Sequence, residues 1–214
     1  MIQKFTYLCS LMFFLWANSL TAQIQTPLDV ALRHIEAQAE ERQLTKGDLD
    51  DLVVNDQFQS RHNGVTHIYF VQRYQGVEIH NAIMNVNILP NGEVLYVGDN
   101  LVRSVAEKVN TTRATIEPTV AVYTAATELG ITNFGTLNLK SKSNGKFTYA
   151  GGDISDSDIV AQLKYTPVYN SFGKTTELRL TWDLAIDQKN NLDYYSLRMD
   201  AVTGQLVDKH KSKN

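Results

Sequence analysis

The chain has 214 residues, 43% of them hydrophobic, with 20 lysines and arginines against 23 aspartates and glutamates, a formal net charge of −3. Acidity this mild and interspersed excludes the basic footprint of a nucleic-acid binder and points to no membrane surface. The length and apolar content suit one large or two small domains with a packed core.

Residues 1–22 read as a secretory signal peptide. Lys4 is the one charge, residues 8–17 are apolar, and Leu20-Thr21-Ala22 leaves a small residue before Gln23, which sets the expected cleavage between Ala22 and Gln23. A membrane anchor is the competing reading, but the apolar run is shorter than the roughly 20 residues a spanning helix needs. Cys9, the sole cysteine, falls inside this segment without the small residues of a lipobox. The exported chain then has no disulfide framework and no thiolate for metal.

Thr26-Pro27 opens a first helix, with Thr26 as N-cap, Pro27 at the first helical position and Asp29 in the first turn. Leu28, Leu32, Ile35 and Ala39 recur on one face, and Thr45-Lys46-Gly47-Asp48 ends the helix before the first strand. His34 lies among polar neighbours, as a solvated histidine does.

Residues 65–99 hold the densest β-forming composition. Gln75-Gly76 and Pro90-Asn91-Gly92 cut this stretch into three strands. Met84, Val86 and Ile88 alternate with Asn85 and Asn87, the pattern of a strand with one buried face. An antiparallel meander is expected.

His62, His67 and His80 fall within nineteen residues and raise the question of zinc. Strand positions five apart face opposite ways, no cysteine joins them, and no H-E-x-x-H helix pattern occurs.

The run from Val53-Val54-Asn55-Asp56 through His62-Asn63-Gly64, Tyr69-Phe70-Val71-Gln72-Arg73-Tyr74 and Gly76-Val77 to Asn81-Ala82-Ile83-Met84-Asn85-Val86-Asn87 resembles the fungalysin/thermolysin propeptide (FTP) domain. The resemblance covers about residues 48–102. It implies a place upstream of the catalytic domain of a secreted zinc metalloprotease.

Residues 103–114 gain charge and lose strand signals, so a connection is expected there. Asn110-Thr111-Thr112 is a glycosylation sequon for a host that modifies secreted proteins. Glu117-Pro118 begins a second helix running to Leu129, with Gly130 at its stop and Val120, Ala121, Tyr123 or Thr124, and Leu129 available for its inner face. From there to Lys146 the composition reads as a loop with at most one short strand. Asp153, Asp156 and Asp158 suggest calcium superficially, but Asp158 and Lys164 stand where an EF-hand loop needs its glycine and glutamate.

Residues 161–169, 175–186 and 193–199 alternate as strands, and Asp200-Ala201-Val202-Thr203-Gly204 makes a final turn before Gln205-Leu206-Val207. Asp200 is expected to bond turn backbone rather than to act as a catalytic carboxylate. Trp182, Tyr194-Tyr195 and the run from Arg198 to Leu206 resemble the end of a PepSY-type domain, which accompanies the first domain in such proregions. The polar, basic end of the chain is expected to be a flexible tail over residues 209–214, with Lys209, Lys211 and Lys213 as the candidate processing junction.

The expected architecture is α+β: two tandem modules, cystatin-like and PepSY-like, each a helix packed on an antiparallel β-sheet. Residues 23–102 form the FTP-like unit and residues 115–208 the second. The sequence has no G-x-S-x-G elbow, dinucleotide fingerprint or cysteine nucleophile. By resemblance the chain is a proregion, a folding chaperone and inhibitor of a zinc metalloprotease catalytic domain acting in cis or in trans. Zinc would belong only to that domain, which the family carries downstream and which would begin where this sequence ends. A free-standing secreted inhibitor and an extracytoplasmic peptide- or protein-binding module are the other readings. All three are secreted, without nucleic acid and without membrane after signal removal.

The register of the meander gives a first prediction. Val86→Asp places an unpaired carboxylate in the core and is expected to unfold the first unit, whereas Asn87→Asp on the alternate face is much milder. Urea melts of the two variants check it, and equal destabilisation would show the register to be wrong.

Overall fold

The structure, a computed structural model, describes residues 25–189 and 193–213. The signal segment, its Ala22 and Gln23 cleavage point and Cys9 lie outside the described residues.

The first helix, α1 (Pro27–Ala37), starts at the expected N-cap Thr26, which forms a capping box with Asp29, each bonding the other's backbone N–H. Those bonds hold the Asp29 carboxyl below its ordinary pKa. The helix stops sooner than expected, and a second, four-residue helix α2 (Lys46–Leu49) follows, capped in the same way by Thr45 and Asp48. Its buried face also differs: Ala31 and Ile35 are buried while Leu32 points outward.

Four antiparallel strands follow: β1 (Val53–Gln59), β2 (Thr66–Tyr74), β3 (Val77–Ile88) and β4 (Val94–Asp99). The expected alternation holds, since Met84, Val86 and Ile88 are buried with Ile68 and Phe70 beneath α1. Gln75 and Gly76 both take positive φ, which a two-residue hairpin requires.

Residues 103–114 are not a slack connection. The short helix α3 (Val105–Lys108) begins there, Val109 bridges Leu178, and Asn110 donates its N–H to Leu178 and accepts from Leu180 N. Helix α4 (Pro118–Glu128) then runs as expected to Gly130, but it buries Ala121, Val122, Ala125 and Ala126 and exposes Val120. The helix is apolar nearly all round, so its pattern did not fix its rotation. The alanines bring it close to the sheet.

The stretch expected as a loop holds a hairpin, β5 (Leu139–Ser143) and β6 (Lys146–Tyr149), turned at Asn144-Gly145 with both φ positive. Strands β7 (Ile159–Tyr169), β8 (Thr175–Asp187) and β9 (Asp193–Asp200) match expectation within two residues. The flexible tail is a correction. Residues 206–213 form β10 (Leu206–Lys213), antiparallel to β9, with Lys209, Lys211 and Lys213 opposite Leu197, Tyr195 and Asp193. An edge strand satisfies its backbone without burying a face, so its sequence need not alternate.

All ten strands join one sheet in the order β1-β2-β3-β7-β8-β9-β10, with β4 beside β3, and β5 reaching β7 through β6. The link between the halves is one parallel pairing, Ile79 with Tyr165. One core cluster lies between α1 and β2, β3 and β4, and a larger one between α4 and β7, β8 and β9. The larger cluster includes Ile79, Ala82 and Val102 from the first part of the chain.

Two buried polar groups lock the junction. The Gln72 amide donates to Asp48 O at 3.0 Å and Val102 O at 2.8 Å and accepts from Val102 N at 2.8 Å. The Asp48 carboxylate accepts from Thr45 N, Ser104 N and Val105 N, tying α2 to the start of α3. Removing it leaves the buried Val105 and half-buried Ser104 N–H groups, and that of exposed Thr45, without their acceptor. Asp48→Ala is therefore expected to cost roughly 2 kcal/mol or more, since each orphaned buried donor costs about 1–3 kcal/mol. Denaturant melts check this, and a change below about 1 kcal/mol would contradict the hub.

Candidate functional site

Helices α1 and α4 lie on one side of the sheet. The opposite side carries a row of side chains that pair in register across four strands: Phe58 on β1, His67 on β2, Asn87 on β3 and Tyr96 on β4. The Phe58 ring stacks on His67 at 5.0 Å and on Tyr69 at 6.1 Å between centroids, and His67 Nδ1 hydrogen-bonds Asn87 Oδ1 at 2.9 Å. Phe58 remains 47% exposed, Tyr96 58% and Ile83 41%. Flat, rigid rings that are ordered yet solvent-facing suit a protein interface, where aromatic side chains bury large area at low entropic cost. Period-two alternation put these residues on one face, but no local signal says which face lacks a helix.

Gly98 belongs to the next row. A Cβ there would stand 2.1 Å from Asn85 Oδ1, so the glycine leaves the space that Asn85 occupies. Its φ is not positive, so the requirement is steric.

On the same side of the second half the chemistry changes to a ladder of charge. Glu78 (β3), Lys164 (β7), Asp183 (β8), Arg198 (β9) and Asp208 (β10) alternate in sign across five neighbouring strands. Lys164 Nζ lies 3.4 Å from Glu78 and 3.3 Å from Asp183, and Arg198 lies 3.3 Å from Asp183 and 2.8 Å from Asp208. Arg198 is only 5% exposed. Its Nη2 also donates to Ser196 Oγ, and its Nε faces Asp183 Oδ1 without hydrogen-bond geometry. Removing a carboxylate partner leaves the buried guanidinium less compensated, whereas Asp208 is half exposed and Asp183 keeps Lys164.

Two adjoining clefts of about 410 Å³ and 390 Å³ open beside the ladder and share His80, Asn81 and Asp208. A third, of about 450 Å³, lies across Arg179, which bonds both Glu177 oxygens and faces Asp200 at 3.7 Å. The Glu177 bonds raise the Arg179 pKa further.

The structure keeps the three histidines apart. His62 lies in the turn before β2, His67 in the aromatic row, and His80 seven residues along β3 from Asn87. Among the described residues no three His, Cys, Asp or Glu side chains group as metal ligands. Asp153 accepts from Gly135 N and Asp158 pairs with Lys140, so two of the three acidic candidates serve the loop and hairpin. Asp200 Oδ1 accepts from Val202 N and Thr203 N, the turn role expected for it. Asn110, exposed in the sequon, accepts from Thr111 N and Leu180 N. Lys209 and Lys211 sit in a paired strand, and Lys211 Nζ contacts Asp193 at 2.7 Å, which raises its pKa. The Lys213 backbone ends that ladder.

A family model, the Fungalysin/Thermolysin Propeptide Motif, matches residues 50–101, which span β1 to β4 and the aromatic row. The extracellular metalloproteinase mep of Aspergillus terreus is 30% identical over 163 residues, 74% of this chain and 24% of that protein. Its counterpart in Aspergillus flavus is 30% identical over 172 residues, 77% of this chain and 26% of that protein. The extracellular metalloproteinase 2 of Trichophyton rubrum is 29% identical over 154 residues, 68% of this chain and 23% of that protein. The chain thus spans about a quarter of the length of these relatives. Among solved structures the Bacillus megaterium YpeB C-terminal domain matches at 16% identity and a TM-score of 0.32, over 90% of this chain and 67% of that one. No described helix is long and apolar enough to cross a membrane.

The close pairing of β3 and β4 gives a steric prediction. Gly98→Ala is expected to destabilise by about 1–3 kcal/mol, as overpacking does, and Asn85→Ala in the same chain should relieve most of that loss. A double-mutant cycle in urea checks it, and additive losses would exclude the Gly98–Asn85 contact as the cause.

Proposed function

We propose that this chain is a proregion of a fungalysin-type secreted zinc metalloprotease, which assists the folding of the catalytic domain and covers it until processing. The observation that carries this reading is the coincidence of the propeptide motif with the helix-free aromatic row of β1 to β4. Its relatives are named as extracellular metalloproteinases. The aromatic row is the proposed contact with the catalytic domain, because it combines exposed rings with a backbone held rigid by four paired strands.

On this reading the chain does no chemistry of its own and holds no zinc, which belongs to its partner. It comprises two helix-on-sheet units, the second PepSY-like, joined along β3 and β7. The partner is engaged in cis within a precursor or in trans as a separate chain. Release at residues 209–213 would require peeling β10 from β9, so Lys209 and Lys211 become substrates only once that ladder opens.

The test is to denature the catalytic domain of the Aspergillus terreus relative, refold it with and without this chain, and then titrate the chain into the active enzyme during casein hydrolysis. Recovery of activity should rise with the chain present, and added chain should inhibit. Replacing Phe58 and Tyr96 together by serine should weaken inhibition about ten- to hundredfold, as expected for losing interface anchors, with the urea midpoint little changed. Neither refolding nor inhibition, or inhibition indifferent to both substitutions, would overturn the reading or its contact face respectively.

A further inference from the structure

His80 stands where the two halves of the sheet meet. It follows Ile79, the residue whose pairing with Tyr165 joins β3 to β7, and precedes Asn81, whose positive φ turns β3 away again. Its side chain lines both clefts beside the charge ladder and is half-buried there. The charged groups around it come from every strand of the seam: Glu78 on its own strand, Lys164 on β7, Arg179 and Asp183 on β8, Arg198 on β9, and Asp208, Lys209 and His210 on β10.

We propose that His80 is a proton-sensitive latch of the seam. Neutral, its ring packs in the junction between β3 and the β7 to β10 half; protonated, it brings a charge into a partly desolvated cleft whose carboxylates Lys164 and Arg198 already engage, and loosens the junction.

Burial first, and then the Arg198 guanidinium, lower the His80 pKa from its ordinary value, with Lys164 acting the same way and Asp183 and Asp208 opposing. The sign follows from linkage. A base whose folded pKa lies below its unfolded value binds fewer protons when folded, so the stabilisation is complete above the unfolded value, near 6.5, and is lost as pH falls through the window down to the folded pKa. Within that window the folding equilibrium shifts by up to tenfold per pH unit. Most carboxylates titrate below it, at about 4.

The seam is also the place where loosening has a distinct structural effect. Each core cluster has its own helix, and Gln72 and Asp48 fix β2 and α2 to the start of α3 without His80. Acid is therefore expected to open the β3–β7 pairing ahead of the first core and of the β8–β9 part of the larger one. On the function proposed above, this would free one half of a proregion from the other in an acidified medium; the latch itself is a property of the chain and is tested without any protease.

The experiment follows the histidine ring signals of the full chain by NMR from pH 8 to pH 5, with urea melts at pH 7.5 and 5.5. The His80 signal should titrate below the ordinary histidine value, the midpoint should fall between the two pH values, and amide exchange at Ile79 and Tyr165 should accelerate before that at Val86 or Leu184. His80→Gln, which cannot be charged, should lose most of the midpoint change, whereas His67→Gln and His210→Gln should retain it. If His80→Gln does not fold, the ring titration and exchange of the unaltered chain still decide. A His80 pKa at or above the ordinary value, an unaltered pH dependence in His80→Gln, or uniform exchange across both cores would each overturn the latch.

Discussion

Strand β3 serves both halves of the sheet at once, and the rest of the molecule follows from how it does so. Its second half pairs with β2 and β4, while Ile79 near its start pairs with β7. The two roles need different directions, and the change is made between Arg73↔Glu78 and Val71↔Ile83, where β3 spends more residues than β2 does. Asn81 takes a left-handed φ of 59° in this bulge, a conformation asparagine tolerates better than most residues. Asn100 Nδ2 donates to Asn81 O and holds the bend from the β4 side.

A bulge of this kind exposes backbone and leaves a gap on the helix side, which the structure fills with polar groups. Gln72 bridges Asp48 and Val102 through all its strong contacts, and Asp48 in turn fixes the start of α3. Such groups stabilise only when fully satisfied, since the low local dielectric makes a missing partner costly. The result is that residues 103–114, which the composition marks as a connection, and the two residues after them are laced to β8 and the end of β9. Thr115 N and Ile116 N both donate to Ala201 O, and Trp182 Nε1 donates to Ile116 O at 2.7 Å.

With α1 and α4 on one side, the other side is left bare, and its two halves differ in chemistry. The β1 to β4 half presents stacked rings and asparagine amides, suited to dry contact with a partner. The β7 to β10 half presents alternating charges that satisfy one another within the sheet, so it contributes to cohesion and offers a partner little unpaired charge. Exposed pairs such as Lys140 with Asp158 contribute little. The Arg198 pairs matter more because that guanidinium is buried.

Much of this was legible along the chain. Thr26-Pro27, Gln75-Gly76, Pro90-Asn91-Gly92 and the Met84, Val86, Ile88 alternation encode local geometry, and local geometry depends on dihedral preference and periodicity that a sequence displays directly. Asn144-Gly145 is an equally strong turn signal, which the polar residues around it obscured. The rotation of α4 was not legible, because a helix with alanine and valine on several faces is oriented only by the sheet it meets. Strand β10 was not legible either, for its residues are ordered by hydrogen bonds to β9 rather than by burial. The sequence alone determined which residues turn, which alternate and which family the first sheet resembles. Only the tertiary structure decided which face stays bare, that β3 joins both halves, and that Glu78, Lys164, Asp183, Arg198 and Asp208 meet, because those depend on contacts between strands far apart in the chain, whose register no local pattern records.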